Sequence, residues 1–355
     1  MNKTVKILAI LLAAQLLLAV GIGLGNRGVS SSNEPVALVS FDSGKIDRIT
    51  LEGPDDANVT LEKKGGAWVL PDMADFPVNS EKVKQLFERL GALRSGTPVA
   101  TSGSARKRFK VSDEQFERRI TLSASDNAVA RLYLGSSPGM RLIHARNETS
   151  DAIHAVKMAV YDVPVKPSDW EDKSVLTFPN TDITAIEVNG LRFERSDPAS
   201  DGDSKANDAG APPAWRTKGL AGGKRLNQEA ADKLVGSLAD LRFDRVLGQE
   251  AKDEYGMENP VLEVLVSLKE GDPLTYRLGK DKEKEEYTLK VSNRPEYFRL
   301  ASYKAKPLVE SANREKLTEM SAEAGEEESV SDTDEKVTAP DAGAEGTVAD
   351  KTARP

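Results

Sequence analysis

Short segments of alternating apolar and polar residues recur along the first half of the chain and predict β-strands. Segments 46–51, 59–63 and 67–70 have this period of two and predict a small antiparallel meander. Four further segments of the same kind predict a second antiparallel set, at 119–123, 129–134, 141–145 and 152–156.

A helical pattern separates these two predicted sets of strands. Apolar residues at spacings of three and four over 83–93 predict an amphipathic helix that packs on the sheet. Asn79 or Ser80 is its predicted N-cap, because either side chain can accept a hydrogen bond from a free N–H of the first turn. A second, shorter helix is predicted within 160–175, where the first group of elements ends.

The same order of elements begins again at Ile183. Strands are predicted at 183–188 and 191–195 and a helix at 227–241. Four strands follow the helix, at 261–269, 273–279, 286–292 and 296–301. A tryptophan precedes each helix, Trp68 in the first group and Trp215 in the second, at an offset of 147 residues.

This period is too long for a solenoid or propeller repeat and indicates tandem duplication of a whole small domain. We therefore predict an α+β fold with two tandem copies of a small antiparallel-sheet-plus-helix domain, behind one N-terminal transmembrane helix. Copy 1 is predicted at 40–176 and copy 2 at 180–310.

The N-terminus has the pattern of a membrane anchor. An uncharged segment at 7–24 would span about 27 Å as a helix, close to the thickness of a hydrocarbon core. Lysines within 1–6 predict a cytoplasmic N-terminus, and 25–39 is a predicted linker to an extracytoplasmic body. The alternative is a cleaved signal peptide, with Ala19-Val20-Gly21 as a weak candidate site. We prefer an uncleaved, single-pass anchor in the cell inner membrane.

Two segments lack the apolar residues that a core requires. An insertion at 196–213 and an acidic tail at 320–355 are predicted to be disordered. The formal net charge of the chain is −8, and the tail region accounts for it, which leaves the remaining body balanced. A balanced body argues against nucleic acid as the main partner, and we interpret the basic run Arg106-Lys107-Arg108 as a solvated loop.

The residues offer little catalytic chemistry. The chain has no cysteine, which excludes a thiolate nucleophile, a disulfide and a lipid-modified cysteine. His144 and His154 fall in predicted strands, where even spacing could bring them together as a metal or acid–base pair. We interpret both as structural, because neither has an equivalent in copy 2.

Two further motifs have a structural and a functional interpretation. Gly222-Gly223-Lys224-Arg225 lacks the first glycine and the Ser/Thr of a phosphate-binding loop. Trp68 and Trp215 could stack on a ligand, but we interpret them as core anchors. We therefore assign no catalytic, cofactor-binding or metal-ligating residue and expect no cofactor.

Several of these residues together resemble a bacterial family. The strand pair, the tryptophan, the helix that follows it, the segment Tyr255-Gly256-Met257-Glu258-Asn259-Pro260 and Leu278-Gly279 are similar to the family described as domain of unknown function 4340. The resemblance covers about 40–310. At the corresponding place copy 1 reads Arg108-Phe109-Lys110-Val111-Ser112, without glycine or proline, so its match rests on the tryptophan, the helix and the strand order. The resemblance implies a membrane anchor, an extracytoplasmic body and an association with gliding-motility-type ABC transporters. It implies no catalytic residue.

Two functions follow as expectations. The first is a non-catalytic, membrane-anchored extracytoplasmic binding or scaffold protein, accessory to an ABC transporter permease or another envelope protein. The alternative is an extracytoplasmic hydrolase or glycan-processing enzyme that uses carboxylates between the two copies, separated by about 5–10 Å.

Overall fold

The structure is a computed structural model that describes residues 15, 36–196, 215–218 and 220–320. The predicted anchor at 7–24, apart from Gln15, lies outside these residues, as do most of the insertion at 196–213 and the tail after Met320. Within the described ranges, no helix combines the length and the apolar character that a membrane span requires.

The structure confirms the α+β class, with many antiparallel strands and few helices. The strands before residue 160 are β1 (Val36–Ala37), β2 (Arg48–Glu52), β3 (Asn58–Lys64), β4 (Ala67–Leu70), β5 (Phe76–Pro77), β6 (Arg94–Ser95), β7 (Arg118–Ala124), β8 (Asn127–Leu134), β9 (Leu142–Asn147) and β10 (His154–Lys157). The helices in this part are α1 (Ser80–Ala92) and α2 (Gly103–Arg108).

The later strands are β11 (Ile183–Val188), β12 (Leu191–Arg195), β13 (Trp215–Thr217), β14 (Lys224–Leu226), β15 (Arg245–Gly248), β16 (Leu262–Leu268), β17 (Leu274–Lys280), β18 (Tyr287–Val291), β19 (Tyr297–Leu300) and β20 (Thr318–Met320). The later helices are α3 (Gln228–Ala239), α4 (Ser302–Ser311) and α5 (Arg314–Leu317). Met320 therefore ends a strand, and the residues after it are not described.

The chain forms two compact units that do not follow the chain order. Unit 1 comprises Met1–Phe178, Leu238–Val261 and Tyr276–Ala305. Unit 2 comprises Pro179–Ser237, Leu262–Thr275 and Lys306–Pro355. The predicted domain bounds, 40–176 and 180–310, stay a prediction.

The first sheet of unit 1 is larger than the sequence predicts. Its eight strands have the order β10-β9-β8-β7-β2-β3-β4-β5, so the predicted meander and the predicted second set belong to one sheet. The strands β2 and β7 join them, with Ile49 opposite Leu122. The prediction of a small sheet was wrong because this pairing links residues far apart in the sequence, which local periodicity cannot show.

The two copies have matching strand orders. In unit 2, the order β13-β12-β11-β16 repeats the order β4-β3-β2-β7 of copy 1. In unit 1, the order β17-β18-β19 repeats β8-β9-β10. The strands and the helices α1 and α3 thus recur in the same order, and the tandem duplication of a whole domain stays a prediction.

Capping determines where the two main helices begin. The Asn79 side chain accepts a hydrogen bond from the backbone N–H of Lys82 at 3.1 Å, and Asn227 accepts one from Ala230 at 2.9 Å. Asn79 is thus the cap, rather than Ser80. The apolar stripe of α1 packs on the first sheet through Val83, Leu86 and Leu90, which are all buried.

The region 160–175 contains two 3₁₀ turns, Val160–Asp162 and Pro167–Asp169, instead of the predicted helix. Pro164 and Pro167 lack a backbone N–H, so a continuous α-helix cannot form there. Trp170 follows the second turn and is buried in the core of unit 1, where its indole N–H donates to the carbonyl of Pro164 at 3.0 Å.

Candidate functional site

His144 and His154 lie on the paired strands β9 and β10 but point to opposite faces of the sheet. Ala155 is directly opposite His144, and Ala145 is directly opposite His154. Directly opposite residues share a face, whereas successive residues alternate between faces. The even spacing therefore places the two histidines on adjacent strands without bringing their rings together.

Each histidine ring has a local structural partner. The Nδ1 atom of His144 lies 2.7 Å from the carbonyl oxygen of Ser136, and that of His154 lies 3.0 Å from the carbonyl oxygen of Gly96. The His144 ring also packs on Phe109, with 4.3 Å between ring centroids. Among the described residues, no three His, Asp or Glu side chains are grouped so that they could hold a metal ion.

Trp68 and Trp215 are both buried, which agrees with the interpretation as core anchors. Trp215 donates its indole N–H to Asp232 of α3 at 2.8 Å and meets Phe193 edge to face. The ring centroids of Trp68 and Phe87 are 6.0 Å apart. These contacts attach each tryptophan to the helix or strand beside it.

The basic run at 106–108 lies in the short helix α2, where each side chain has a partner. Arg106 pairs with Asp151, Lys107 lies 3.7 Å from Glu114, and the Arg108 guanidinium packs over the ring of Phe109. The run is helical rather than the predicted loop.

Gly222 and Gly223 have positive φ angles and form a turn that leads into β14. Arg225, the last residue of the motif, pairs with Glu319 of β20 at 2.8 Å. A strand follows the glycines directly, whereas a phosphate-binding loop leads into a helix.

The segment that carries most of the family resemblance packs backbone against backbone. A Cβ atom on Gly279 of β17 would lie 2.0 Å from the carbonyl oxygen of Tyr255, and a Cβ on Gly256 would lie 2.4 Å from that of Lys280. Glycine is required at both positions because any side chain would clash. Gly256 also has φ 64°, a conformation that glycine adopts readily.

Copy 1 repeats this contact with different residues. A Cβ on Gly135, directly after β8, would lie 2.0 Å from the carbonyl oxygen of Phe109, and Lys110 has φ 55° at the place of Gly256. Phe109-Lys110 thus makes the backbone contact in copy 1 that Tyr255-Gly256 makes in copy 2, although the two dipeptides share no residue.

Two carboxylates are buried in unit 1. Glu171 is beside the ammonium group of Lys173 and accepts a hydrogen bond from the backbone N–H of Val246 at 3.3 Å. Glu296 lies 3.4 Å from the guanidinium of Arg294. Each buried carboxylate is next to a cation, and the hydrolase alternative stays a prediction.

Two grooves lie beside α1 on the surface of unit 1. One is lined by aromatic side chains and the other by cationic side chains. On one side of α1 is the aromatic groove, about 860 Å³ in volume. Phe41, Trp68 and Phe87 line it, and Phe41 and Phe87 are half-buried with 5.6 Å between their ring centroids. Its rim includes Lys63, Lys84 and Glu88.

On the other side of α1 is the cationic groove, about 540 Å³ in volume. Four cationic side chains line it, Lys82, Arg89, Arg118 and Lys166, with the carboxylates Asp162 and Asp169. The exposed ring of Tyr161 and the buried ring of Trp170 also line it.

The arginines of the cationic groove differ in their surroundings. Arg89 pairs with Asp162, which also accepts a hydrogen bond from the backbone N–H of Ala159 at 2.9 Å. Arg118 instead donates Nε to the carbonyl of Val163 at 2.7 Å and Nη1 to its neighbouring carbonyl of Glu117 at 2.6 Å. Burial lowers the pKa of Arg118 from its usual value, although the side chain stays cationic.

Neither of these two grooves was predicted from the sequence. A partial signal exists, because Lys82, Gln85 and Arg89 recur at helical spacing on one side of α1. The opposite wall of the cationic groove comes from 161–170, which reaches α1 only through the tertiary fold. Nothing in the local pattern predicts that contact.

Comparison with known families agrees with the resemblance. A family model described as a domain of unknown function (DUF4340) matches residues 68–260, more than half of the chain. The match begins at Trp68 and ends at Pro260. It therefore includes α1, which forms one wall of each groove, and the segment Tyr255–Pro260. Searches of the curated proteins and of the solved structures find no match to this chain.

Proposed function

The chain belongs to the DUF4340 family, and from this premise we propose that it is a non-catalytic binding or scaffold protein of the bacterial envelope. Its body is extracytoplasmic in this proposal, and the segment at 7–24 anchors it in the inner membrane as a single-pass helix. Its partner is another envelope membrane protein, such as an ABC transporter permease.

This proposal rests on the structural role of the glycines in the family motif. Gly256 and Gly279 are needed for close backbone packing, and copy 1 makes the same contact through Gly135 and Lys110. A motif that serves the fold in both copies supports a rigid duplicated framework. Binding surfaces are commonly built on such frameworks.

The aromatic groove is the surface that we propose for the partner protein. Aromatic side chains supply much of the binding energy at protein interfaces, and Phe41 and Phe87 are half-buried and accessible to a partner. Lys84 and Glu88 at the rim provide charges that can orient the partner. The Phe87 ring packs against the rings of both Phe41 and Trp68, so binding requires little side-chain ordering.

A co-purification experiment tests this proposal. Full-length protein is crosslinked in cells, purified from membranes and analysed by mass spectrometry. We expect recovery of an envelope membrane protein, and we expect Lys84→Glu to lower that recovery about tenfold because it reverses a charge at the rim. The matched control is Lys157→Glu. Lys157 is an exposed residue of β10 outside both grooves, so this change should leave recovery unchanged.

The variant Phe87→Ser provides a second measurement, with its fold checked by circular dichroism. A folded Phe87→Ser protein should also lose the partner. Recovery of the chain alone from wild-type cells, or equal recovery with Lys84→Glu and Lys157→Glu, would argue against the proposal.

A further inference from the structure

The cationic groove offers a second kind of recognition, on the side of α1 opposite the aromatic groove. Its walls come from α1, the start of β7 and the turns at 161–170, and it encloses about 540 Å³. This volume suits a small ligand rather than a protein segment. The ligand of the cationic groove is therefore a small molecule or chemical group, distinct from the protein partner proposed for the aromatic groove.

The charges of the groove are unequal. Four cations and two carboxylates line it, which leaves an excess of two positive charges. One carboxylate, Asp162, is already engaged by Arg89 and by the backbone N–H of Ala159. Within the described part of the chain, Arg118 and Lys166 have no carboxylate at ion-pair distance; the charge of Glu117 acts on Arg118, but that carboxylate is paired with Lys110 at 2.6 Å.

Arg118 is the cation that the fold positions most firmly. Two backbone carbonyls hold its Nε and Nη1 atoms, and the guanidinium is half-buried. Carbonyls fix the direction of the side chain without neutralising its charge. Gly53 lets it pack closely, because a Cβ there would lie 3.3 Å from Nη1 of Arg118. A fixed, desolvated guanidinium without a carboxylate binds anions strongly.

Lys166 adds a mobile cation at the rim of the same groove, and Tyr161 adds an exposed ring with a hydroxyl group. The excess of two charges matches a dianionic group with several oxygen acceptors. We infer that the cationic groove binds a phosphate group, which Arg118 and Lys166 contact directly and Lys82 and Arg89 attract from the α1 side. The phosphate belongs to a soluble ligand or to a lipid headgroup.

Titration of the full-length protein in neutral detergent with inorganic phosphate tests this inference. We expect saturable binding that weakens as sodium chloride is raised, because salt screens exposed charges. Lys166→Gln should weaken binding about tenfold, as expected for the loss of one charge-assisted contact. The matched control is Lys157→Gln, which removes the same charge from an exposed lysine outside the groove and should bind phosphate as the wild type does.

Arg118→Gln is the second variant, with its fold checked by circular dichroism and thermal unfolding. A folded Arg118→Gln protein should lose phosphate binding more completely than Lys166→Gln. Because Lys166→Gln changes an exposed residue, its result stands even if Arg118→Gln does not fold. The aromatic groove is untouched in all three variants, so a failed partner experiment and a failed phosphate experiment are distinguishable.

Two short-chain lipids, used below their micelle-forming concentration, separate the possible sources of the phosphate. Dihexanoyl phosphatidic acid, a phosphomonoester that carries close to two negative charges near neutral pH, should bind at least tenfold more tightly than inorganic phosphate if the ligand is a headgroup, with zwitterionic dihexanoyl phosphatidylcholine as the control. Equal or weaker binding of the lipid assigns the groove to a soluble phosphate. The inference is overturned if neither phosphate nor the anionic lipid binds saturably, or if Lys157→Gln weakens binding as much as Lys166→Gln.

Discussion

Arg146 on β9 is an almost fully buried cation in unit 1. Its side chain is 2% exposed, its Nε donates to the carbonyl of Val111 at 2.7 Å, and its guanidinium packs over the ring of Tyr133. Asp113 accepts a further hydrogen bond from it at 3.1 Å. The residue therefore attaches the segment that follows α2 to the face of the first sheet.

Replacing Arg146 with methionine should lower the free energy of unfolding by about 2–4 kcal/mol. Methionine fills similar space, but the buried carbonyl of Val111 loses its donor and the cation–π contact disappears. Urea denaturation measures the change. Arg131→Met on neighbouring β8 is the control and should cost less than about 1 kcal/mol, because its ion pair with Glu148 is partly exposed. Equal losses in both variants would contradict this role of Arg146.

The carboxyl group of Asp113 makes a pH-dependent contribution to stability. Hydrogen bonding from the Tyr133 hydroxyl and the positive charge of Arg146 lower the pKa of Asp113 from its usual value. The folded state therefore binds this proton less tightly than the unfolded state. The stabilisation is present above the ordinary aspartate pKa, about 3.9, and is lost as the pH falls through the lower pKa of the folded state.

Asp113→Asn should thus destabilise the protein at pH 7 and converge with the wild type as the pH falls below about 4. The difference at pH 7 should be less than about 1 kcal/mol, because the side chain is 68% exposed and solvent screens the interaction. Urea denaturation at several pH values measures it. A difference between the two proteins that stays constant down to low pH would show that the carboxyl charge does not contribute.

At the scale of elements, the most specific feature is the backbone contact that both copies make. Gly135 and Gly279 each lie against a carbonyl group with no room for a Cβ atom. Gly91 of α1 and Gly236 of α3 provide the comparison within the same copies, because a Cβ at either would meet no atom within 4 Å.

Gly135→Ala and Gly279→Ala should each lower the free energy of unfolding by about 2–4 kcal/mol, since the backbone segment packed on each glycine must move away to admit the methyl group. Gly91→Ala and Gly236→Ala should instead raise it by about 0.4–1 kcal/mol, because alanine favours a helix and reduces the entropy of the unfolded chain. Urea denaturation of the four variants tests both signs. A tolerated alanine at 135 or 279 would mean that the contact is not close in solution.

Most elements were predictable from local pattern. The four strands predicted after α3, now β16 to β19, lie within one residue of their predicted bounds, and Asn79 and Asn227 both cap helices. The elements that were missed are α2, α4, α5, β1, β5, β6, β13, β14, β15 and β20, and all of them except α4 have too few residues to show a period. The pairing of the strands was also not predictable from local pattern. β2 pairs with β7, although α1 and α2 lie between them in the sequence.

The candidate sites were harder to predict than the fold. The sequence drew attention to His144 and His154, whose separation onto opposite faces depends on strand register. It gave no sign of Arg118, because an arginine at the start of a strand is ordinary until the turns at 161–170 pack beside it. Grooves formed by distant segments are properties of tertiary structure, and periodicity reports only local structure.

For the whole molecule, we propose that the aromatic groove of a duplicated, membrane-anchored framework binds an envelope protein. Copy 1 and copy 2 share their strand order and their glycine contact. Among the residues that the structure describes, however, the groove at the start of α3 in copy 2 has neither the cluster of aromatic rings that lines the aromatic groove nor the excess of two positive charges that lines the cationic groove. We therefore expect the copies to differ in binding even though they share a framework.

The most direct test places a photo-crosslinking amino acid at Lys84, on the rim of the aromatic groove, in the full-length protein in living cells. The matched position is Lys157, an exposed residue of β10. We expect a discrete crosslinked product with an envelope membrane protein from Lys84 and none from Lys157. No product from Lys84, or the same product from both positions, would contradict the proposal.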